Sequence, residues 1–233
     1  MKQFGFIKTL RFVVVLTGIA LFFALFVSLG AWDRSGGAAM AGEISLLSGV
    51  YQSTDSEGAR DYKENRISLM GRYGDMVSHS KNLMWYADAG IEMISYSGDQ
   101  APDDGTGVVI GGGGRLFFEP IGERLKPYLG LGGSYESSKD VDLAGRERES
   151  SGLYYGMHAG ARMLMGSLAE FDMADVSVFL DLESSLFKSA IFETTKLKSA
   201  DPTIEDTKET KTDLYIAGAG LFTEMLIGLG FVF

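Results

Sequence analysis

The chain has 233 residues and a net charge of −10, a balance that argues against nucleic acid as a partner because its phosphates call for an excess of basic residues. It contains no cysteine, which excludes a disulfide framework, a thiolate metal site and a lipidated cysteine anchor. Its 31 glycines and 4 prolines suit neither a helical protein nor a disordered one.

The first forty-odd residues read apart from the rest. Lys2, Lys8 and Arg11 precede the uncharged run Phe12–Ala31, and Ala39-Met40-Ala41 supplies a small-residue cleavage motif before Gly42. A basic start, an apolar stretch and such a motif make a secretory signal peptide over residues 1–41. Ser28-Leu29-Gly30 would also serve as the cleavage motif. The apolar run exceeds the usual length of about 7–15 residues, so a retained anchor helix stays open. Residues 42–233 then form one domain, more acidic still once the basic leader is removed.

In that domain eight segments alternate as strands: Ile44–Gln52, Ile67–Tyr73, Leu83–Tyr96, Val108–Glu119, Pro127–Ser137, Gly152–Met165, Val176–Lys188 and Leu214–Phe233. Side chains alternate faces along a strand, so a period of two separates two surroundings. One set carries no ionisable residue, as in Trp85, Ala87, Ala89, Ile91 and Met93, or Val176, Val178, Leu180, Leu182, Ser184 and Leu186. The other set holds glycines and the charges Arg72, Asp88, Glu92, Arg115, Glu119, Glu136, His158, Arg162, Asp181, Glu183 and Glu224.

Alternation alone also fits a soluble sandwich. Three further features favour a barrel in a membrane. Connections alternate between long, polar stretches (Ser53–Arg66, Ser97–Gly107, Ser138–Ser151, Ser189–Asp213) and shorter ones, as in outer-membrane barrels. Aromatics of the apolar set sort by height, with Tyr73, Trp85 and Phe118 near one rim and Tyr135 and Tyr155 near the other, as an interfacial girdle requires. The charged set is rich in glycine, which leaves room for long side chains inside a narrow barrel. The expected fold is all-β: an eight-stranded antiparallel up-and-down transmembrane β-barrel. In that setting Ala89→Arg, facing lipid, should cost about 2–4 kcal/mol. Gly90→Ala, facing inward, should be much milder.

Inward charges allow two readings. A structural plug pairs arginines with carboxylates, and a narrow pore uses the same ring to select ions. Catalysis is the third class. His79-Ser80 falls in a turn on the periplasmic side, and nothing in the sequence forces Ser134 or Ser177 to meet His158. The glycine run Gly111–Gly114 lacks a phosphate-loop context, and no zinc-type histidine spacing exists, so neither cofactor nor metal is expected. Charged stretches of the long connections are candidates for an extracellular ligand.

The last residues read GLGFVF, with Leu229, Phe231 and Phe233 on the apolar face. This ending, the eight-strand rhythm and the long outer connections resemble the small OmpA/OmpX-type outer-membrane β-barrel family. The resemblance implies a bacterial outer-membrane location and a Gram-negative envelope. It also implies assembly by the barrel-assembly machinery, which reads Leu229, Phe231 and Phe233. Implied partners are outer-membrane lipids and lipopolysaccharide. No peptidoglycan-binding domain is expected after the barrel. The combined expectation is a monomeric, non-enzymatic barrel with a plugged lumen and a structural or surface-interaction role. A narrow pore and a lipid A deacylase-like enzyme are the alternatives.

Overall fold

A computed structural model describes residues 42–57, 60–77, 80, 82–98, 103–142, 145–168, 173–198, 207–211 and 224–232. The expected signal segment 1–41, His79 and Phe233 lie outside the described residues, as does part of the last expected strand, 214–223.

Nine strands are described: β1 (Gly42–Glu57), β2 (Arg60–Met76), β3 (Leu83–Ser97), β4 (Asp103–Phe117), β5 (Leu125–Val141), β6 (Glu147–Leu168), β7 (Met173–Lys198), β8 (Thr207–Lys211) and β9 (Glu224–Val232). Each of β1 to β7 pairs antiparallel with its neighbour in sequence. β9 then pairs with both β7 and β1. That last pairing closes a ring of eight strands, while β8, among the described residues, pairs with the far end of β7. Closure gives each of the eight ring strands a neighbour on both sides, which a sheet in lipid requires.

The outer face is apolar and open to the surroundings. Val50, Ile67, Met93, Val108, Ile110, Leu131, Leu182, Met225, Ile227 and Leu229 all expose their side chains. On a water-soluble protein so continuous a patch would be an association surface; around a closed ring it is the band that faces lipid. Trp85 and Phe118 are exposed near the short-turn rim, and Tyr73 meets Trp85 edge to face at 5.5 Å. Tyr135 is exposed towards the other rim, where Tyr155 meets Phe187 edge to face at 6.2 Å.

Three expectations need correction. Polar stretches expected as long loops are largely strand: β1 and β2 stay paired up to Glu57 and Arg60, and β5 and β6 up to Val141 and Glu147. Above the membrane both faces meet water, so alternation fades while the backbone hydrogen bonds persist. After β5, Gly145, at φ 76°, donates its N–H to the Asp142 carbonyl at 2.9 Å.

Leu186, expected to continue the outward set by period two, is skipped in the pairing. Phe187 pairs with Met157 and Ser185 with His158. An extra residue of this kind is a β-bulge, and it reverses the parity beyond it. Phe187 therefore turns outward, and Lys188 lines the interior.

Gly90 is not a mild site. A Cβ there would lie 2.8 Å from the Met70 Cα and would overlap the Leu69 carbonyl oxygen, so the barrel wall itself would have to move.

Candidate functional site: the charged interior

An eight-stranded barrel has an interior just wide enough for side chains to fill, so inward charges must meet one another. At the centre lies Arg115 of β4, with no exposed side-chain surface. It donates to Asp181 of β7 at 2.8 Å and to Glu183. Tyr128 of β5 donates its hydroxyl to Asp181 at 2.7 Å and lies 3.1 Å from Glu183. Arg72 of β2 bonds Asp88 at 2.8 Å and Glu183 at 3.0 Å. Towards the short-turn rim, Arg162 of β6 clamps Glu43 of β1 and reaches Asp181 at 3.3 Å. Carboxylates buried this deeply would be costly alone, and arginine forks are the pairing that offsets the cost.

Aromatic rings complete the packing. The guanidinium of Arg72 lies 4.4 Å from the Tyr86 ring centre, that of Arg115 4.4 Å from Tyr128, and that of Arg162 4.0 Å from Phe179. Such cation–π contacts gain strength where water is excluded. Glycines on facing strands seat the rings. A Cβ at Gly132 would overlap the Tyr86 hydroxyl, one at Gly160 the Tyr128 hydroxyl, and one at Gly130 the His158 imidazole. His158 stands 3.6 Å from Glu183, and its Nε2 has no hydrogen-bond partner.

Above this layer the interior opens. A cavity of about 110 Å³ is lined by Asp88, Glu92, Glu136, His158, Lys188 and Glu224, among others. A second, of about 500 Å³, lies between the strand extensions and shares Glu92, Glu136 and Tyr154 with the first. Lys188 bonds Glu136 at 2.5 Å, and Arg66 reaches Glu92 at 3.5 Å. At the outer end Arg148 grips Asp140 through two bonds of 2.7 Å, and Tyr96 donates to the same carboxylate at 2.8 Å. Burial, then that bond to Asp140, pushes the Tyr96 phenol above its ordinary range.

Of the residues expected to share the lumen, Arg72, Asp88, Arg115, Arg162, Asp181 and Glu183 meet in one network with His158 beside it. Glu92 and Glu224 line the cavity above. Glu119 does not join them: β4 ends at Phe117, and Glu119 is exposed in the turn that follows. Leu229 and Phe231 lie on the exposed face of β9. Residues the sequence reading passed over are Glu43, Arg66, Tyr86, Tyr128 and Lys188. Glu43 was missed because the first strand begins before Ile44, and Lys188 because of the bulge.

Ser134, a candidate nucleophile for His158, donates instead to Glu136 at 2.8 Å. Among the described residues no group of three or more acidic or histidine side chains is arranged to hold a metal.

No family model matches the chain, and no curated protein matches it. Several solved structures share its general form at low likeness. Neisserial surface protein A is 15% identical, with 84% of this chain and 98% of that one covered, at a TM-score of 0.40. A major outer membrane protein from Thermus thermophilus is 11% identical, with 83% and 100% covered, at 0.43. The translocator domain of autotransporter NalP from Neisseria meningitidis is 13% identical, with 94% and 98% covered, at 0.34. The closed ring and its exposed apolar band make this chain an outer-membrane β-barrel protein.

Proposed function

We propose that this protein is a non-conducting, non-enzymatic barrel of the small OmpA/OmpX type, plugged by its own side chains and acting at its outer surface. One observation carries the reading: Arg115 has no exposed surface and is held on the opposite wall by Asp181 and Glu183. Removing Arg115 would leave two buried carboxylates short of a cation, with Arg72 and Arg162 to serve both, so the network resists opening. Strand extensions of β5 to β8 raise a rigid rim above the membrane, and exposed elements on a rigid scaffold are where binding concentrates. A monomer needs no second chain to close its ring.

A narrow pore is the second reading, and the two adjoining cavities, the deeper of which reaches Glu183, favour it. Recording from the purified protein in planar bilayers separates the two. The plug predicts silence from the native protein and current steps from Arg115→Ala. Steps from the native protein, altered by Arg115→Ala, would make it a pore.

A further inference from the structure

Above the apolar band, strand register assembles a row of lysines on the outer face. Lys139 of β5 stands opposite Glu149 of β6, Glu149 opposite Lys196 of β7, and Lys196 opposite Lys208 of β8. Cross-strand partners project from one face of a sheet. Here that face is the outward one, since the alternate neighbours Arg148, Thr195 and Leu197 line the interior. Lys198 joins the row, reaching Glu149 at 2.7 Å, while Lys139 reaches the same carboxylate at 2.5 Å. Four lysines thus share this outward patch with Glu149 and Glu147, in a chain whose net charge is −10. Lys139 and Lys198 close on the carboxylates, while Lys196 and Lys208 are placed beside them by register.

Within this row Lys196 and Lys208 face each other directly, and both are exposed. Glu149 stands on the other side of Lys196, but its carboxylate is already held by Lys139 and Lys198. Like charges directly opposite in a sheet are destabilising, so the Lys196–Lys208 pair favours an anion between them. Height indicates which anion. Outward side chains run from Tyr135 through Ser137 to Lys139 on β5, and from Phe192 through Thr194 to Lys196 on β7. At about 3.3 Å per residue and a tilt of about 35–45°, the lysines start roughly 10 Å above the last apolar side chains. Their flexible stems can reach down from there to the headgroup layer.

We propose that Lys139, Lys196, Lys198 and Lys208 form a binding site for the phosphate groups of a phosphorylated glycolipid in the outer leaflet. Lys196 and Lys208 hold one phosphate between them. Lys139 and Lys198, tethered by Glu149, flank it. The site continues the lipid-facing band upward, so the occupant is a lipid already packed against the barrel. This names a partner for the outer-surface role above and rests on that role.

The test measures retention of lipopolysaccharide on the purified full-length protein in detergent by native mass spectrometry. Intact lipopolysaccharide, its dephosphorylated form and inorganic phosphate are the probes. The double variant Lys196→Gln/Lys208→Gln should retain intact lipid at least fivefold less well than the native protein. Lys63→Gln, an exposed lysine on β2, should leave retention unchanged. A second readout guards against misfolding: in lipid-free detergent Lys208→Glu should raise the melting temperature, because it replaces a repulsion with a pair. Unchanged retention in the double variant would overturn the proposal. So would equal retention of dephosphorylated lipid, or saturation by inorganic phosphate at equal affinity. Any of these leaves bilayer silence standing, whereas current steps from the native protein would sink the plug and leave the lysine row intact.

Discussion

Arg115 and Asp181 come from strands on opposite sides of the barrel, bond at 2.8 Å, and neither exposes any side-chain surface. The pair spans the interior, and removing Arg115 leaves Asp181 and Glu183 buried with one shared cation fewer, held by Arg162 at 3.3 Å and Arg72 at 3.0 Å. Arg115→Ala should therefore cost about 3–5 kcal/mol, the loss expected for breaking a buried ion pair. Urea titration of the refolded protein in detergent measures it. A loss within about 0.5 kcal/mol, typical of a surface substitution, would mean that Arg115 is not a structural centre.

Two adjacent glycines give a sharper contrast. A Cβ at Gly113 would lie 2.7 Å from the Gly132 Cα and overlap the Leu131 carbonyl, whereas at Gly114 its nearest neighbour is 3.6 Å away. Gly113→Ala should lower the temperature at which the barrel converts to its slow gel form, and Gly114→Ala should leave it nearly unchanged. The reverse ranking would contradict the inward placement of Gly113.

Lipid exposure is tested at Ala89, which shares its outward set with Trp85, Ala87 and Met93. Ala89→Arg should destabilise the barrel by about 2–4 kcal/mol, as for arginine at the bilayer midplane. A neutral result in phospholipid vesicles would place this face away from the hydrocarbon.

Glu149 titrates far below a free glutamate. Hydrogen bonds from Lys139 and Lys198 lower its pKa to about 2. Since the folded value is depressed, the stability it contributes is present above the unfolded pKa of about 4.3. That contribution fades as pH falls towards about 2. Carboxyl chemical shifts should show a midpoint near 2; a midpoint near 4.3 would mean the lysines do not hold it.

The outward face was legible because lipid tolerates no ionisable side chain, so apolar residues such as Ile67, Ile110 and Met225 recur at every second position along each strand of the band. Which inward residues meet was not legible. Period two assigns a face but not a height, and strand tilt brings Glu43 of β1 level with Arg162 of β6. Glu119 shows the same limit at a strand end: its parity is inward, but the strand stops at Phe117. Bulges are a second blind spot, since one skipped residue at Leu186 sends Lys188 inward. Ring-and-glycine seats such as Tyr128 against Gly160 depend on the register between neighbouring strands, which the period of either strand alone does not fix.

The most direct test of the plugged interior uses the absence of native cysteine. Single cysteines would replace Ser138 in the outer cavity, Ser185 in the deeper one, and Ser45, buried on the short-turn side beside Glu43. A charged, membrane-impermeant thiol reagent is then added to the extended end of the barrel only. The account predicts labelling at positions 138 and 185 and none at 45. Labelling at position 45 at a rate matching 185 would show an open path through the Arg115 network and contradict it.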